Sequence, residues 1–247
     1  MIPKKLRLDQ ILLNRNLAKS KSKAQAMIMA GQVFVDSIKI NKSGYNIKSD
    51  SLIEIKHLGP EWVSRGAMKL IKALDTHQIQ VSNKICIDLG SSTGGFTDVL
   101  IQRGAKKVYA VDVGTNQLHE KLKKNNRIIS LEKTNARYLK KDQFEELIDI
   151  MVCDVSFISL KKVIEPNLHL LKKESIIIAL IKPQFESKKN ETKKGVIKDR
   201  IIHQRICNEI SEWFETIYDS KVLSIIESPI KGPKGNIEFL ITVKFQK

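Results

Sequence analysis

The chain has 247 residues, 42% of them hydrophobic, which suits one medium domain plus a small one and argues against a disordered chain. Its 43 Lys and Arg residues against 27 Asp and Glu residues give a net charge of +16, so we expect a polyanionic partner. A lysine-rich surface without such a partner is the alternative interpretation of this charge. The longest apolar run, 176–181, is far too short to span a bilayer, so no membrane segment is expected.

The cysteines and the start of the chain indicate a cellular compartment. Three scattered cysteines, Cys86, Cys153 and Cys207, include no CxxC pair, and any disulfide scheme leaves one of them unpaired. This usage favours the reducing cytosol and gives no support to a metal site. The basic start of the chain breaks its apolar stretches with charges, which is not typical of a signal peptide. We therefore predict a cytoplasmic protein without a bound metal.

The first 56 residues have the pattern of a small α+β module. Apolar residues recur at helical spacing within 8–13 and within 24–30, and Gly31 is placed to cap the second of these helices. Alternating apolar patterns then suit three short strands separated by turn residues, at 33–35, 38–40 and 52–55. The sequence therefore predicts a compact domain over residues 1–56, at a size where a core is marginal.

A linker is predicted at 57–63, where Gly59, Pro60 and an exposed-looking Trp62 interrupt the pattern. Residues 64–247 change to the alternation of strands and helices that is typical of a parallel α/β sheet. The expected strands are 85–89, 108–113, 128–131, 148–153 and 175–181, and the expected helices lie near 66–76, 95–103, 117–124, 159–171 and 198–217. Two final strands, 220–228 and 236–246, flank a turn-rich segment and predict a closing antiparallel hairpin.

A glycine-rich turn follows the first strand of this larger domain. The strand at 85–89 leads into Gly90-Ser-Ser-Thr-Gly94-Gly95, where the next helix is expected to begin. Such a strand end suits a nucleotide-like ligand, because glycines allow close approach to the backbone and a helix N-terminus offers free N–H donors. The glycine spacing matches neither the GxxxxGK[ST] nor the GxGxxG phosphate motif.

Two acidic residues in this region narrow the choice of ligand. Asp112 ends the second strand, where a carboxylate can accept both ribose hydroxyls of an adenosine. The ligand could therefore be S-adenosylmethionine or a dinucleotide. Asp88 favours S-adenosylmethionine, because a carboxylate suits its ammonium group and would repel a pyrophosphate. A tight turn with an N-capping aspartate is the purely structural alternative.

Three further polar residues are placed where a sheet presents its ligands. Asp154 and Lys182 each follow an apolar strand, and Glu238 lies in the last hairpin. A lysine at such a strand end is costly to desolvate without a task or a counter-ion, so Lys182 is the strongest candidate of the three. Asp154 could instead cap the following helix, and Glu238 could be an ordinary strand residue on a polar face with Asn236 and Thr242.

Five sequence blocks resemble those of a known protein family and occur in the same order. The start of the chain shows a resemblance as well. The blocks are similar to the TlyA family of ribosomal RNA 2′-O-methyltransferases, whose catalytic domain is of the FtsJ type, and the segment around 7–33 resembles the S4 RNA-binding domain. The blocks are Val63-Ser-Arg-Gly-Ala-Met-Lys69-Leu, Asp88-Leu-Gly-Ser-Ser-Thr-Gly-Gly-Phe-Thr97, Cys153-Asp-Val-Ser-Phe157, Ile181-Lys-Pro-Gln-Phe-Glu186 and Gly232-Pro-Lys-Gly-Asn-Ile-Glu238. The resemblance covers nearly the whole chain and implies a Rossmann-like class I methyltransferase sheet behind an S4-like domain.

The resemblance also implies site residues. It implies a catalytic tetrad of Lys69, Asp154, Lys182 and Glu238. Together with the glycine-rich turn and its two acidic neighbours, the resemblance predicts the residues that bind S-adenosylmethionine. They are Asp88, Gly90, Ser91, Gly94, Phe96, Asp112 and Asp154. The expected RNA contacts are Arg7, Lys19, Lys21, Lys23 and Arg65, although each of these could be plain surface charge. Phe157 or Phe185 is a candidate for stacking against an extruded target base.

The implied activity is transfer of a methyl group from S-adenosylmethionine to a ribose 2′-OH of ribosomal RNA. The chain resembles the shorter members of the family, which are associated with a cytidine of large-subunit rRNA, and small-subunit rRNA remains a further possible substrate. Three alternatives stay open: an RNA-binding assembly factor without catalysis, a haemolysin, and a nicotinamide-dependent oxidoreductase.

Overall fold

The computed structural model describes residues 5–55, 62–192, 195–217 and 219–246. The chain divides into two compact units, Met1–Glu61 and Trp62–Lys247. Most of the predicted linker, 57–61, lies outside the described residues. Trp62, expected to be exposed, is instead half-buried, because it packs against the core of the second unit.

The first unit combines two helices with two small sheets. A two-stranded sheet pairs β1 with β4, and a three-stranded sheet has the order β3-β2-β5. The pair β1 and β4 was not predicted from the sequence, because strands this short carry little alternation to detect. The elements in chain order are β1 (Lys5–Arg7), α1 (Leu8–Asn14), α2 (Lys21–Met29), β2 (Val33–Val35), β3 (Ile38–Lys39), β4 (Asn46–Lys48) and β5 (Ile53–Ile55).

Local sequence signals fix both ends of α2. The Ser20 hydroxyl accepts a hydrogen bond from the Lys23 backbone N–H at 3.2 Å and so caps the first turn. At the other end, Gly31 has a φ of +69°, and its N–H donates to the Ile28 carbonyl while the next N–H reaches Met27. This is the Schellman arrangement, which a side chain at Gly31 would strain, and it confirms the predicted cap.

The second unit is a seven-stranded sheet with helices on both faces. The strand order is β11-β12-β10-β9-β6-β7-β8, and β6 to β10 run parallel, while β12 is antiparallel to both β10 and β11. The elements are α3 (Ala67–Thr76), β6 (Ile85–Leu89), α4 (Gly95–Gln102), β7 (Lys107–Val111), α5 (Glu120–Lys123), β8 (Ile128–Leu131), β9 (Ile148–Cys153), α6 (Lys161–Ile164), β10 (Leu171–Ile181), α7 (Pro183–Glu186), α8 (Arg200–Glu215), β11 (Lys221–Glu227) and β12 (Phe239–Gln246).

Alternation along the strands separates two apolar layers. In β6, Ile85, Ile87 and Leu89 join the larger core cluster, which includes residues of α6 and α8. Cys86 points the other way, into a cluster with residues of α3 and α4. A sheet covered on both faces explains why these strands read as continuous apolar runs in the sequence. The α/β class, the closing antiparallel hairpin and the small α+β unit are therefore confirmed.

Two details of the predicted elements are wrong. The helix expected over 159–171 ends at Ile164 and continues as a 3₁₀ segment, Glu165–Leu170, where Pro166 has no N–H to donate to the preceding turn. The last strand begins at Phe239, so Asn236 and Glu238 precede it rather than share its polar face. Asn236 is held through its side chain by Gly195 and Ile197, and Thr242 is fully buried.

The order of the strands determines where the candidate site lies on the sheet. The chain turns outward from β6 in two directions, to β7 on one side and to β9 on the other. In an open α/β sheet, such a reversal leaves a crevice beyond the carboxyl ends of the strands. Gly90, Asp112, Asp154 and Lys182 all lie directly after strands that end at this edge.

Candidate active site

Two lysines and two acids, remote in sequence, form one ion-pair cluster at this edge. Lys69 Nζ lies 2.8 Å from Glu238 Oε2 and 3.2 Å from Asp154 Oδ2. Lys182 Nζ lies 2.6 Å from Asp154 Oδ1. Asp154 therefore bridges the two ammonium groups, and the structure brings together all four residues of the tetrad expected from the resemblance.

Different elements supply each member of this tetrad. Lys69 projects from α3, Asp154 follows β9 and Lys182 follows β10. Glu238 sits at the turn before β12, where the inserted antiparallel strand brings it beside the parallel part of the sheet. The sheet topology, rather than any local sequence pattern, therefore assembles the cluster.

The cluster is largely withdrawn from water. The side chains of Lys69, Lys182 and Glu238 are 9%, 8% and 0% exposed, whereas that of Asp154 retains 21%. Burial alone would raise the pKa of Asp154, but the ammonium groups of Lys182 and Lys69 outweigh it and hold that pKa below its ordinary value. Asp154 is therefore an anionic anchor for both lysines at neutral pH.

Two adjoining cavities meet at this cluster. One, of about 410 Å³, is lined by the whole tetrad together with Asp88, Arg65 and the glycine-rich turn. The other, of about 480 Å³, runs past Asp112 toward Asn135 and Phe157. Four residues line both cavities, namely Gly90, Ser92, Asp154 and Ser156. A ligand that fills both would thus pass directly beside Asp154.

Gly90 makes the narrow passage between β6 and β9 possible. Its φ is +82°, and an added Cβ would lie 2.8 Å from the backbone oxygen of Asp154. A side chain here would have to displace the very residue that bridges the two lysines. The glycine is therefore required by the close approach of two strand ends.

The other residues predicted to contact the methyl donor have different surroundings. Ser91 and Phe96 line the 410 Å³ cavity, and so do Ser92, Thr93 and Gly95, which the sequence did not single out. Gly94 lines neither cavity. Its φ is +94°, and an added Cβ would collide with Leu118 and Leu122, so its observed role is to admit those side chains at the start of α4.

Asp88 and Asp112 differ in how they are held. Asp112 accepts backbone N–H groups of Ser92 at 2.8 Å and Gly114 at 2.7 Å, which orient its carboxylate at the cavity wall. Asp88 is 1% exposed and accepts the Thr97 hydroxyl at 2.6 Å through one oxygen, while its other oxygen, Oδ1, is buried and has no hydrogen-bond partner among the described residues. Burial, opposed by the Thr97 bond and aided by the nearby acid Asp154, raises the pKa of Asp88 to about 7.

An unpartnered buried carboxylate oxygen is the kind of feature that a ligand satisfies. Asp88 lines the 410 Å³ cavity, so a cationic group there would lie beside this carboxylate and favour its ionised form. Asp112 lines the 480 Å³ cavity, and each of its oxygens retains a lone pair for a hydroxyl donor. The ammonium and ribose groups of S-adenosylmethionine fit these two positions.

The expected RNA-binding cations are exposed in each unit. In the first unit, Lys19, Lys21 and Lys23 are exposed around the start of α2, and Arg7 is anchored to Asp9 by two bonds of 3.0 and 2.7 Å. In the second unit, Arg65 is exposed and lines the 410 Å³ cavity. Lys231 is a further exposed cation on that cavity wall, and no motif in the sequence pointed to it.

Comparison with known proteins gives a consistent family assignment. Residues 62–245 match the model of FtsJ-like methyltransferases, and residues 6–53 match the S4 domain. The chain is 43% identical to "Hemolysin A" of Brachyspira hyodysenteriae over 95% of this chain and 98% of the relative. It is 36% identical to the "16S/23S rRNA (cytidine-2'-O)-methyltransferase TlyA" of Mycobacterium tuberculosis, over 98% of this chain and 91% of the relative.

A solved structure from Streptococcus thermophilus, also described as a hemolysin, has a TM-score of 0.74 and 37% identity, covering 100% of this chain and 90% of that one. Within the part of the chain that the structure describes, no helix is long and apolar enough to cross a membrane. The matches to both domain models and the near full-length relatives agree on one assignment. The chain therefore belongs to the TlyA family of FtsJ-like methyltransferases and carries an S4 domain ahead of its methyltransferase domain.

Proposed function

We propose that this protein transfers the methyl group of S-adenosylmethionine to a ribose 2′-OH of ribosomal RNA, at a cytidine of the large-subunit rRNA. The observation that carries the proposal is the Lys69–Asp154–Lys182–Glu238 cluster at the junction of the two cavities. A ribose hydroxyl is a poor nucleophile, and such a cluster supplies groups that can orient it and accept its proton. Ribosomal RNA as substrate also assigns the reaction to the cytoplasm.

S-adenosylmethionine, when bound, supplies an electrophilic methyl group on a sulfonium. Asp88 would hold its ammonium, Asp112 its ribose hydroxyls, and the backbone around Gly90 would allow the ligand to pass beside Asp154. That methyl group would pass to the ribose oxygen, and the electron pair of the carbon–sulfur bond would stay with sulfur.

We assign Nζ of Lys182 as the atom that accepts the proton of the 2′-OH. Lys182 is the lysine that contacts Ser156, a residue that lines the 480 Å³ cavity. The two ammonium groups contact the two oxygens of one carboxylate, Asp154, so Lys69 and Lys182 lie side by side at the site. Lys69 is held between two carboxylates and keeps Asp154 and Glu238 in place. The four groups therefore act as one coupled set.

The S4 unit and the exposed cations fit an RNA substrate. A net charge of +16 favours association with phosphate groups, and the exposed Lys19, Lys21 and Lys23 lie in the unit that matches the S4 domain. The Mycobacterium tuberculosis relative is named for both 16S and 23S rRNA, so the choice of subunit has to be tested directly.

Phe157 is the residue best placed to stack on an extruded base. It is 90% exposed, has a φ of +64°, lines the 480 Å³ cavity and lies against Phe185 with ring centroids 5.0 Å apart. A strained, exposed aromatic residue beside a cleft is costly unless a partner covers it. We expect Phe157→Ala to reduce RNA methylation about 10-fold or more, equivalent to ~1–3 kcal/mol of stacking. Calorimetry should show unchanged S-adenosylhomocysteine binding, and equal losses in both measurements would contradict the assignment.

The raised pKa of Asp88 predicts that cofactor binding is coupled to the release of a proton. This pKa is about 7 in the free protein, and a bound ammonium favours the ionised carboxylate, so binding should release protons below that pH. The affinity for S-adenosylhomocysteine should therefore fall by about tenfold per pH unit below 7 and be flat just above it. Calorimetry in buffers of different ionisation enthalpy should detect roughly half a proton released at pH 7. Asp88→Asn should bind weakly with no such release, and an unchanged proton count in that variant would contradict the assignment.

The proposed activity can be tested in cells. Ribosomal RNA from cells that lack the gene should lose one 2′-O-methylcytidine, detected by mass spectrometry of nuclease fragments. A gene copy encoding the wild-type protein should restore it, whereas a copy encoding Lys182→Ala should not. Identical fragments with and without the gene would refute the proposed substrate.

A further inference from the structure

Ser156 makes the second contact to the ammonium group of Lys182. Lys182 Nζ donates to Ser156 Oγ at 2.8 Å, in addition to its 2.6 Å contact with Asp154. Ser156 is exposed and lines both cavities, so it stands at the point where methyl donor and acceptor would meet. We propose that Ser156 is a positioning residue for methyl transfer, which fixes Lys182 so that its remaining N–H position faces the reacting oxygen; this rests on the proposed function.

The argument begins with the geometry of an ammonium group. It has three donors in a tetrahedral arrangement on a flexible four-carbon stem. One anchor leaves Nζ free to swing around that acceptor. Two anchors, Asp154 Oδ1 and Ser156 Oγ, fix both the position of Nζ and the direction of its third site. That third site is then an N–H for the ribose oxygen or, after loss of a proton, a lone pair for the ribose hydroxyl.

The loop that carries both anchors is itself held at both ends. The Asp154 N–H donates to the Leu89 carbonyl at 3.0 Å, which ties the start of the loop to β6. At the other end, Glu186 of α7 accepts the Ser159 hydroxyl at 2.7 Å and the Leu160 N–H at 2.6 Å. Because α7 begins directly after Lys182, the loop and the lysine are parts of one braced structure.

A comparison of the two lysines explains why a hydroxyl stands here. Lys69 is anchored by two carboxylates, Asp154 and Glu238. Lys182 has one carboxylate and one neutral hydroxyl. Ser156 thus orients Lys182 without adding a second negative charge beside it. This difference in anchoring suits the two proposed roles, in which Lys182 exchanges a proton with the substrate and Lys69 holds the site together.

The test compares Ser156→Ala with Ser156→Thr, which keeps the hydroxyl at this exposed position. Ser82→Ala, an exposed serine before β6, is the control. In Ser156→Ala we expect kcat for RNA methylation to fall about 10- to 100-fold, as misplaced catalytic groups do, with KM for RNA and S-adenosylhomocysteine affinity unchanged. Ser156→Thr should restore kcat. A wild-type kcat in Ser156→Ala, or an equally slow Ser156→Thr, would overturn the proposal.

A second measurement does not depend on turnover. The NH₃⁺ signal of Lys182 in ¹⁵N-labelled protein, assigned by its loss in Lys182→Arg, should be detectable at low temperature because two acceptors hold it. Ser156→Ala should broaden or abolish this signal and Ser156→Thr should keep it. An unchanged Lys182 signal in Ser156→Ala would reject the anchoring role, whether or not the wild-type protein methylates RNA. Failure of the wild-type protein to methylate RNA would by itself refute only the proposed function.

Discussion

Replacing Lys182 with alanine should reduce methyl transfer by about 10²–10⁴-fold, the contribution usual for a general acid or base. The reason is that Lys182 is the ammonium group shared between Asp154 and Ser156 where the two cavities meet. The variant should fold, because Asp154 keeps its contact with Lys69 and remains partly hydrated. Single-turnover methylation of RNA, with protein in excess, measures the effect without interference from product release.

Lys72→Ala is the matched control for this prediction. Lys72 is an exposed lysine on α3, one turn beyond Lys69, and it has the same charge but takes no part in the ion pairs of the cluster that the structure describes. We expect it to retain wild-type rates. S-adenosylhomocysteine should bind Lys182→Ala as it binds the wild-type protein, so a lost rate with retained binding isolates the chemical step. Full turnover by Lys182→Ala would remove Lys182 from the catalytic set.

Replacing Lys69 with methionine should cost about 3–5 kcal/mol of folding stability as well as activity. Glu238 is 0% exposed, and its Oε1 has no hydrogen-bond partner in the described part of the chain. The ammonium group of Lys69 thus neutralises the fully buried carboxylate of Glu238, and its loss would leave that negative charge unpaired. Stability should be read from the unfolding transition that S-adenosylhomocysteine raises, since the chain has two units.

A double-mutant cycle separates this charge effect from lost packing. Lys69→Met combined with Glu238→Leu removes both charges, so we expect the double variant to be more stable than Lys69→Met alone. Neither variant should methylate RNA, because the tetrad is broken in both. If the two substitutions were simply additive in stability, Lys69 and Glu238 would not be coupled, and the ion pair would have no structural role.

Much of the architecture was predictable because it depends on short-range patterns. The apolar runs that became β6, β7, β9 and the second half of β10 are buried on both faces, so their continuity shows directly in the sequence. Gly31, Asp154 and Lys182 were also indicated by position alone, since strand and helix ends are recognisable from flanking residues. These features need no knowledge of distant contacts.

The assembly of the site was harder to predict from residues alone. Lys69 lies within a helix and is 85 residues from Asp154 and 169 from Glu238, so only the family resemblance pointed to it. Gly94 looked like a ligand contact, but its neighbours Leu118 and Leu122 come from a later segment that the motif does not reveal. Ser156 lies within one of the matched sequence blocks, but its role could not be predicted because it depends on where Lys182 Nζ lies.

The family assignment also decides among the alternatives left open by the motif. The glycine-rich turn with Asp88 and Asp112 was compatible with a dinucleotide, whereas residues 62–245 match the FtsJ-like methyltransferases. The four residues that the resemblance implies as a catalytic tetrad are present and form one ion-pair cluster, which a non-catalytic RNA-binding factor would not need. Catalysis on RNA is therefore the claim that most needs direct measurement.

The most direct measurement is transfer of a radiolabelled methyl group from S-adenosylmethionine to isolated small and large ribosomal subunits from cells that lack the gene. Our account predicts label in the large subunit at the 2′-oxygen of a cytidine with the wild-type protein, and no label with Lys182→Ala. No label in either subunit, from protein that binds S-adenosylmethionine, would contradict ribosomal RNA methylation as the function of this site.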